Sequence, residues 1–280
     1  MRIDLHTHSV ISDGTDAPAQ VVAAAAQAGL DVVGLTDHDS TLGWAEAEEA
    51  VVALGVALVR GVELSCAAEH MSVHVLSYLH DPDDPALRAE MDRIRSSRVH
   101  RARTIVDRLA ADMPLHWDDV LAQTEPGATV GRPHIADALV ARGHVPDRSA
   151  AFDSLLATRS KYHVPHYAIG VVRAVGLIRA AGGVPVLAHA GALARGRVVS
   201  DATIRSMVDA GLAGLEVHHR DNPPEQRERL AELAARWGLL VTGASDYQGS
   251  GKPNLIGENL TDPEVLAAIE EQGRLPVVRR

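Results

Sequence analysis

The chain predicts an α/β fold: a closed or nearly closed barrel of seven strands alternating with helices, interrupted by a helical insertion. Three observations carry that reading. Apolar runs of strand length alternate with segments of helical periodicity along most of the 280 residues. Hydrophobic residues make up 46% of the chain and aromatics only 3%, so the core must be built from Ala, Val, Leu and Ile, as tightly packed α/β layers are. Imidazoles and carboxylates recur where the apolar runs end, and barrels of parallel strands carry their functional groups at that end.

Residues 2–5 form the first strand, which runs into Leu5-His6-Thr7-His8. Side chains two apart on a strand point the same way, so His6 and His8 project together, a spacing that suits one metal ion. A short loop then reaches Asp13. An Ala-rich helix over 17–28 has Pro18 early and Gly29 as its stop. The second strand, 31–36, ends in Asp37-His38-Asp39. A helix over 43–54 follows, then a third strand, 56–62, ending in Glu63. Residues 71–79 read as a fourth strand with His74 in its middle. A long polar helix over 85–109 carries Arg93, Arg95, Arg98, Arg101, Arg103 and Arg108. After a region punctuated by Pro and Gly comes a short helix over 133–142. With no strand-like run before Tyr167, residues 97–163 read as a helical insertion, and 1–96 with 164–280 as a discontinuous barrel domain.

The strand-helix rhythm then resumes. A helix near 170–181 precedes a fifth strand, 183–188, that ends in His189. A helix over 201–210 precedes a sixth, 214–217, that ends in His218-His219. A helix over 224–237 precedes the seventh, 239–243, which leads to Ser245-Asp246-Tyr247-Gln248. A final helix spans 262–272.

Charge and composition exclude several classes. A formal net charge of -10 argues against long duplex nucleic acid as a partner. A single cysteine, Cys66, rules out an intrachain disulfide framework and reads as a small core residue. The first residues are not a signal sequence, and the apolar runs are too short to span a membrane. A soluble cytoplasmic protein is expected, with no obligate protein partner.

The spacing of His6 and His8 with Asp13, then Thr36-Asp37-His38, Glu63, His74, Ala188-His189-Ala190 and Ser245-Asp246-Tyr247 resembles the signature of the PHP-domain (polymerase and histidinol phosphatase) metallophosphoesterases. The likeness runs from residue 1 to about 251. The insertion, with Gly131-Arg132-Pro133-His134, resembles the subgroup of nucleoside 3',5'-bisphosphate phosphatases and short-oligonucleotide 5'-to-3' exonucleases. That resemblance implies a distorted seven-stranded barrel and two or three divalent ions, Mn, Fe or Zn. One ion would take His6, His8, Glu63 and Asp246. A second would share Glu63 and take His74 and His189. A third would take Asp13, His38 and a histidine two residues after the late aspartate. Here that position is Gln248. An amide oxygen is a weaker, neutral ligand than imidazole, so the third site is expected to be weak, empty, or completed by water or substrate.

The donor chemistry agrees. Mixed imidazole and carboxylate donors suit Zn, Mn or Fe, and paired ions activate water and neutralise charge on a phosphoryl oxygen. Asp37 is expected to orient a ligand imidazole or to cap a helix. Arg132 precedes Pro133, so it lies beside a helix N-terminus where phosphate binds well, with His134 close by. Arg98 and Arg101 share a helix face that is either solvated or substrate-binding. Lys161 and His218 trace to the mouth as substrate-binding and catalytic candidates; His166, His219 and Tyr247 read as structural or solvent-facing. The function expected is removal of the 3'-phosphate from nucleoside 3',5'-bisphosphates, with trimming of short oligonucleotides. Another small-molecule phosphomonoesterase and a non-catalytic metal-binding module are the alternatives.

Overall fold

The structure, a computed structural model, describes residues 1–193 and 197–280. The first four strands are β1 (Ile3–Thr7), β2 (Val32–Leu35), β3 (Ala57–Ala68) and β4 (Met71–Tyr78). Helices α1 (Pro18–Gln27) and α2 (Trp44–Leu54) connect the first three. After β4 come α3 (Pro85–Ala110), α4 (Trp117–Leu121), α5 (Arg132–Ala141) and α6 (Arg148–Asp153). The two-residue β5 (Ile169–Gly170) leads into α7 (Val171–Ala180). Then β6 (Val184–Leu187), α8 (Asp201–Asp209), β7 (Gly214–His218), α9 (Pro224–Trp237), β8 (Leu240–Gly243) and α10 (Pro263–Gln272) complete the chain.

The strands form one sheet in the order β1-β2-β3-β4-β6-β7-β8, with β5 paired to the side of β3. A parallel bridge between Thr7 and Tyr247, with the His8 N–H donating to the Tyr247 carbonyl at 2.8 Å, brings the two ends of the sheet together. The barrel is therefore nearly closed. Asp4 reinforces the seam: its carboxylate accepts from the backbone of Ser245 at 3.1 Å and of Gly257 at 2.8 Å. Burial pushes the Asp4 pKa up to about 6 in spite of those bonds.

One expectation about the barrel needs correction. β3 does not stop at Glu63 but runs to Ala68 and turns back at Glu69-His70, both at positive φ, into β4. β4 is antiparallel to both β3 and β6. The all-parallel pattern fails because two residues suffice for a hairpin, whereas a parallel crossover needs a dozen or more. The reversal matters for function. The early half of an antiparallel strand lies where its parallel neighbours end, and this is how His74, opposite Ser65, reaches the mouth.

Apolar packing follows the layers. α1 and α2 cover β2 and β3 through Val21, Val22, Ala47 and Val51. Leu87, Met91 and Ile94 of α3 join the core that α7, α8 and α9 build on the sheet. The second half of α3 leaves that core. Its Ala102, Ile105, Val106 and Leu109 pack with Leu115, Val120, Ile135, Leu139 and Leu156 in a separate cluster. One helix thus carries the chain from the barrel into the insertion, which holds an apolar core of its own. Cys66 is buried, as expected. No helix among the described residues is long and apolar enough to cross a membrane.

Gly34 sets how closely β1 approaches β2. A Cβ there would stand 2.4 Å from the Leu5 carbonyl oxygen, a contact that backbone must move to relieve. Gly34→Ala is expected to destabilise the fold by about 1–3 kcal/mol, read from the urea midpoint at unchanged m-value.

Candidate metal centre

β1 delivers His6 and His8 to one point, as their spacing requires: their Nε2 atoms are 3.0 Å apart, and both side chains are fully buried. His6 donates Nδ1–H to Glu216 Oε1 at 2.9 Å. His8 Nδ1 stands 3.3 Å from Ser12 Oγ and 3.4 Å from Asp13 Oδ1. The Ser12 hydroxyl already donates to Asp37 at 2.6 Å, so His8 Nδ1 is the donor in that pair. Both rings therefore aim an Nε2 lone pair at the same point.

Carboxylate oxygens meet them there. Glu63 Oε2 is 3.4 Å from His6 Nε2 and 3.2 Å from His8 Nε2. Asp246 Oδ1 is 3.8 and 3.2 Å from the same atoms. Ligands about 2.0–2.2 Å from a shared ion stand about 2.9–3.6 Å apart; His6, His8 and Glu63 fit that spacing, and Asp246 Oδ1 stands beside them at ligand spacing from His8. The other Glu63 oxygen, Oε1, lies 2.6 Å from His74 Nδ1 and 3.0 Å from His189 Nε2, which makes a second group around the same carboxylate. His38 places Nδ1 3.2 Å from Glu63 Oε2 and Nε2 3.7 Å from Asp13 Oδ2.

The electrostatics ask for positive charge. Burial works against protonation of His8, yet Asp13, Asp246 and Glu63 outweigh it and push its pKa up to about 10. Burial likewise opposes charge on His6, and Glu216 and Glu63 overcome it. Burial would raise Glu63, Asp246 and Asp13, but neighbouring imidazoles and Lys252 hold all three below the usual carboxylate range. Lone pairs and anions converge with too little of the protein's own positive charge. Divalent ions resolve that mismatch.

A family model for the PHP domain matches residues 4–157. The chain belongs to the PHP domain family. A 3',5'-nucleoside bisphosphate phosphatase from Chromobacterium violaceum is 34% identical over 251 residues, 89% of this chain and 88% of the relative. A 5'-3' exoribonuclease from Haemophilus influenzae is 31% identical over 263 residues, 92% of this chain and 94% of its own length. A crystal structure from Bifidobacterium adolescentis, assigned as a metal-dependent phosphoesterase, matches with a TM-score of 0.95 at 46% identity, covering 97% of this chain and 96% of that one.

Behind the PHP centre, a further layer of residues fixes the donors. Asp37 caps no helix among the described residues. It accepts from the Ser9 amide at 2.8 Å and from the Ser9 and Ser12 hydroxyls at 2.6 Å, so it orients His8 through Ser12. Glu216 grips His6 and also accepts from the His189 amide at 2.8 Å. His189 and Asp246 have φ of +31° and +52°, backbone conformations that cost about 1–3 kcal/mol each and that His and Asp tolerate better than most residues.

β7 corrects the reading of His218. Strand alternation would put residues 216 and 218 on one face, but the β7–β8 register shifts between them. Glu216 and His219 therefore point inward, and His218 is exposed. His219 takes its Nδ1 bond from the Asp221 amide, which leaves Nε2 facing Asp246 Oδ2 at 3.7 Å. It is a buried neighbour of the centre, not a solvent-facing residue.

The donors open onto a cavity of about 400 Å³ whose lining includes Arg98, Arg101, Arg132 and Arg148. Arg98 and Arg101 are buried, so their shared face is not a solvated one. Arg98 is held by Ser65 Oγ at 2.6 Å and by Asp39. Arg101 meets His166 Nδ1 at 2.9 Å, which brings His166 into the cavity wall against expectation. Burial, with Arg98 and Arg132 nearby, lowers the Arg101 pKa to about 9, still charged at neutral pH. Arg132 opens α5 as predicted, bonded to the Leu156 carbonyl at 3.1 Å and lying over Phe152.

Two further candidates lie elsewhere. His134 accepts from the Gly131 amide at 3.1 Å, closing the first turn of α5, and it faces a second depression with Asp137. Lys161 is 69% exposed and paired with Asp112 at 2.8 Å, turned outward because its neighbour Tyr162 fills the insertion core. The residues that sequence reasoning missed are Glu216, Arg148 and Lys252. The last two come from loops and helix ends with no periodic signal. Glu216→Gln removes the charge behind His6 and one of the two acceptors that hold His6 and the His189 amide, and is expected to weaken metal affinity about 10–100-fold, measured by competition with a chelating dye.

Proposed function

We propose that this chain is a metal-dependent phosphomonoesterase that removes the 3'-phosphate of nucleoside 3',5'-bisphosphates and, from the same site, trims short oligonucleotides at the 5' end. One observation carries the reading. One cavity is lined both by the carboxylate and imidazole donors and by the guanidinium groups of Arg98, Arg101, Arg132 and Arg148, so metal ions and more than one anionic group can be held in the same space. The activities named for the C. violaceum and H. influenzae relatives support it.

Ions held by His6, His8, Glu63 and Asp246, and by Glu63, His74 and His189, would supply the Lewis acidity and water activation that phosphate-ester hydrolysis needs. The protein's own residues do the rest. Arg98 and Arg101, fixed by Ser65 and His166, hold the phosphate that is not cleaved. Both carry a buried Nε with no hydrogen-bond partner among the described residues, which an anion would relieve. Arg132 adds a third guanidinium from α5. Together these contacts orient the substrate before reaction, and orientation is the main contribution a protein makes to phosphoryl transfer. The insertion, residues 97–163, acts as the recognition lid because Arg98, Arg101 and Arg132 all belong to it. The medium is taken to be the cytoplasm, with Mn, Fe or Zn as the ion.

Turnover of adenosine 3',5'-bisphosphate with Mn, read as free phosphate with AMP as the product, tests the reaction. Higher kcat/KM on histidinol phosphate or on nucleoside monophosphates would replace this reading. Arg101→Ala and Arg132→Ala each remove charge-assisted bonds and are expected to cost about 10–100-fold in kcat/KM on the bisphosphate. A simple aryl phosphate, which lacks the second anion, should lose far less. Equal losses on both substrates would remove the assigned role of these arginines.

A further inference from the structure

Beside the two groups that share Glu63, a third cluster is formed by His8, Asp13 and His38. It is incomplete. His8 uses Nδ1 as a donor to Ser12 and Asp13, and its Nε2 belongs to the first group. Only Asp13 Oδ2 and His38 Nε2 remain, 3.7 Å apart. The next side chain in the wall is Gln248, which is buried and turns its amide Nε2 to Asp246 Oδ1 at 3.1 Å. The one atom of that amide able to ligate is its carbonyl oxygen, a weaker and neutral donor than an imidazole nitrogen. Two firm ligands are too few to hold a transition ion.

A cation of the chain's own stands beside this cluster. Lys252 Nζ lies 2.6 Å from Asp246 Oδ2, and Lys252 lines the same cavity as Asp13, His38 and Gln248. The segment that carries it is tightly held. The Ser250 amide donates to Thr15 Oγ1 at 2.8 Å, Gly251 closes a turn on the Gln248 carbonyl at 3.2 Å, and Asn254 Nδ2 donates to the Ser245 carbonyl at 2.6 Å. Gly251 lies against the Arg148 guanidinium, which a Cβ there would displace. The backbone that carries the ammonium is therefore fixed, and its pair with Asp246 holds the tip at the cavity. It gives one N–H to Asp246 and has others to give to the cavity.

We propose that the centre holds two divalent ions and that Lys252 stands in for a third, supplying fixed positive charge and N–H donors to a phosphoryl oxygen of the substrate. The substrate named here rests on the function proposed above; the ion count does not, so the two can fail separately.

The test is manganese content of the full-length chain, loaded with Mn²⁺ and desalted, measured by plasma mass spectrometry. About two ions per chain are expected for the wild type and again for Gln248→His, because Lys252 still occupies the position. Gln248→His combined with Lys252→Met is expected to rise to about three. Three ions in the wild type or in Gln248→His alone, or two in the double variant, would overturn the proposal. Circular dichroism melts establish that each variant is folded, and Lys252→Gln replaces Lys252→Met if the latter is not. With two ions retained, Lys252→Met is expected to lower kcat on the phosphate ester about 10-fold or more. An unchanged kcat would remove the lysine from the reaction.

Discussion

A single buried carboxylate organises this molecule. Glu63 sits among five imidazoles, with Oε2 3.4, 3.2 and 3.2 Å from His6, His8 and His38, and Oε1 2.6 and 3.0 Å from His74 and His189. A buried charge is costly unless it is paired and fully bonded. Those partners come from β1 and the residue after it, the loop after β2, β4 and the loop after β6, so five adjacent strands of the sheet, β1-β2-β3-β4-β6, have to be in place for Glu63 to be satisfied. Each strand that contributes a donor is in turn held by an apolar layer outside it. The positive φ of His189 and Asp246 shows that the donors' positions are imposed by their surroundings and not chosen by local backbone preference.

The site also divides its labour by element type. Metal donors sit on strands and on the turns immediately after them, where backbone pairing fixes them. The guanidinium groups that line the cavity sit mostly on α3 and α5, which pack on the insertion core. Chemistry and recognition can therefore vary separately: the barrel keeps the donors, while a different insertion would present a different basic wall. Arg148 touches both parts, with bonds to Asp137 of α5 and to the Asp13 carbonyl at 2.9 Å.

Much of the centre was legible because strand geometry leaves a plain mark in a sequence. His6 and His8 are two apart on a short strand, and the other ligands follow apolar runs that could hardly be anything but strands. Three kinds of information were not legible. The direction of β4 depends on a two-residue turn, so His74 appeared to lie mid-strand instead of at the mouth. The irregularity in β7 reverses the facing of His218 and His219, which no alternation rule foresees. Arg98 and Arg101 belong to a run of charges that resembles a solvated face; only the packing of α3 against Ser65 and His166 shows them buried. Lys252 has no pattern around it at all, and its meaning depends wholly on Asp246 and Gln248 being next to it in space.

The most direct test of the central claim is an anomalous-scattering map at the manganese edge, from crystals of the full chain grown with Mn²⁺. The account predicts two peaks on either side of the Glu63 carboxylate, one near His6 and His8 and the other near His74 and His189, with the Lys252 ammonium beside Asp246. A map in which Glu63 bridges no ions, or in which the strongest peak lies away from it, would contradict the account.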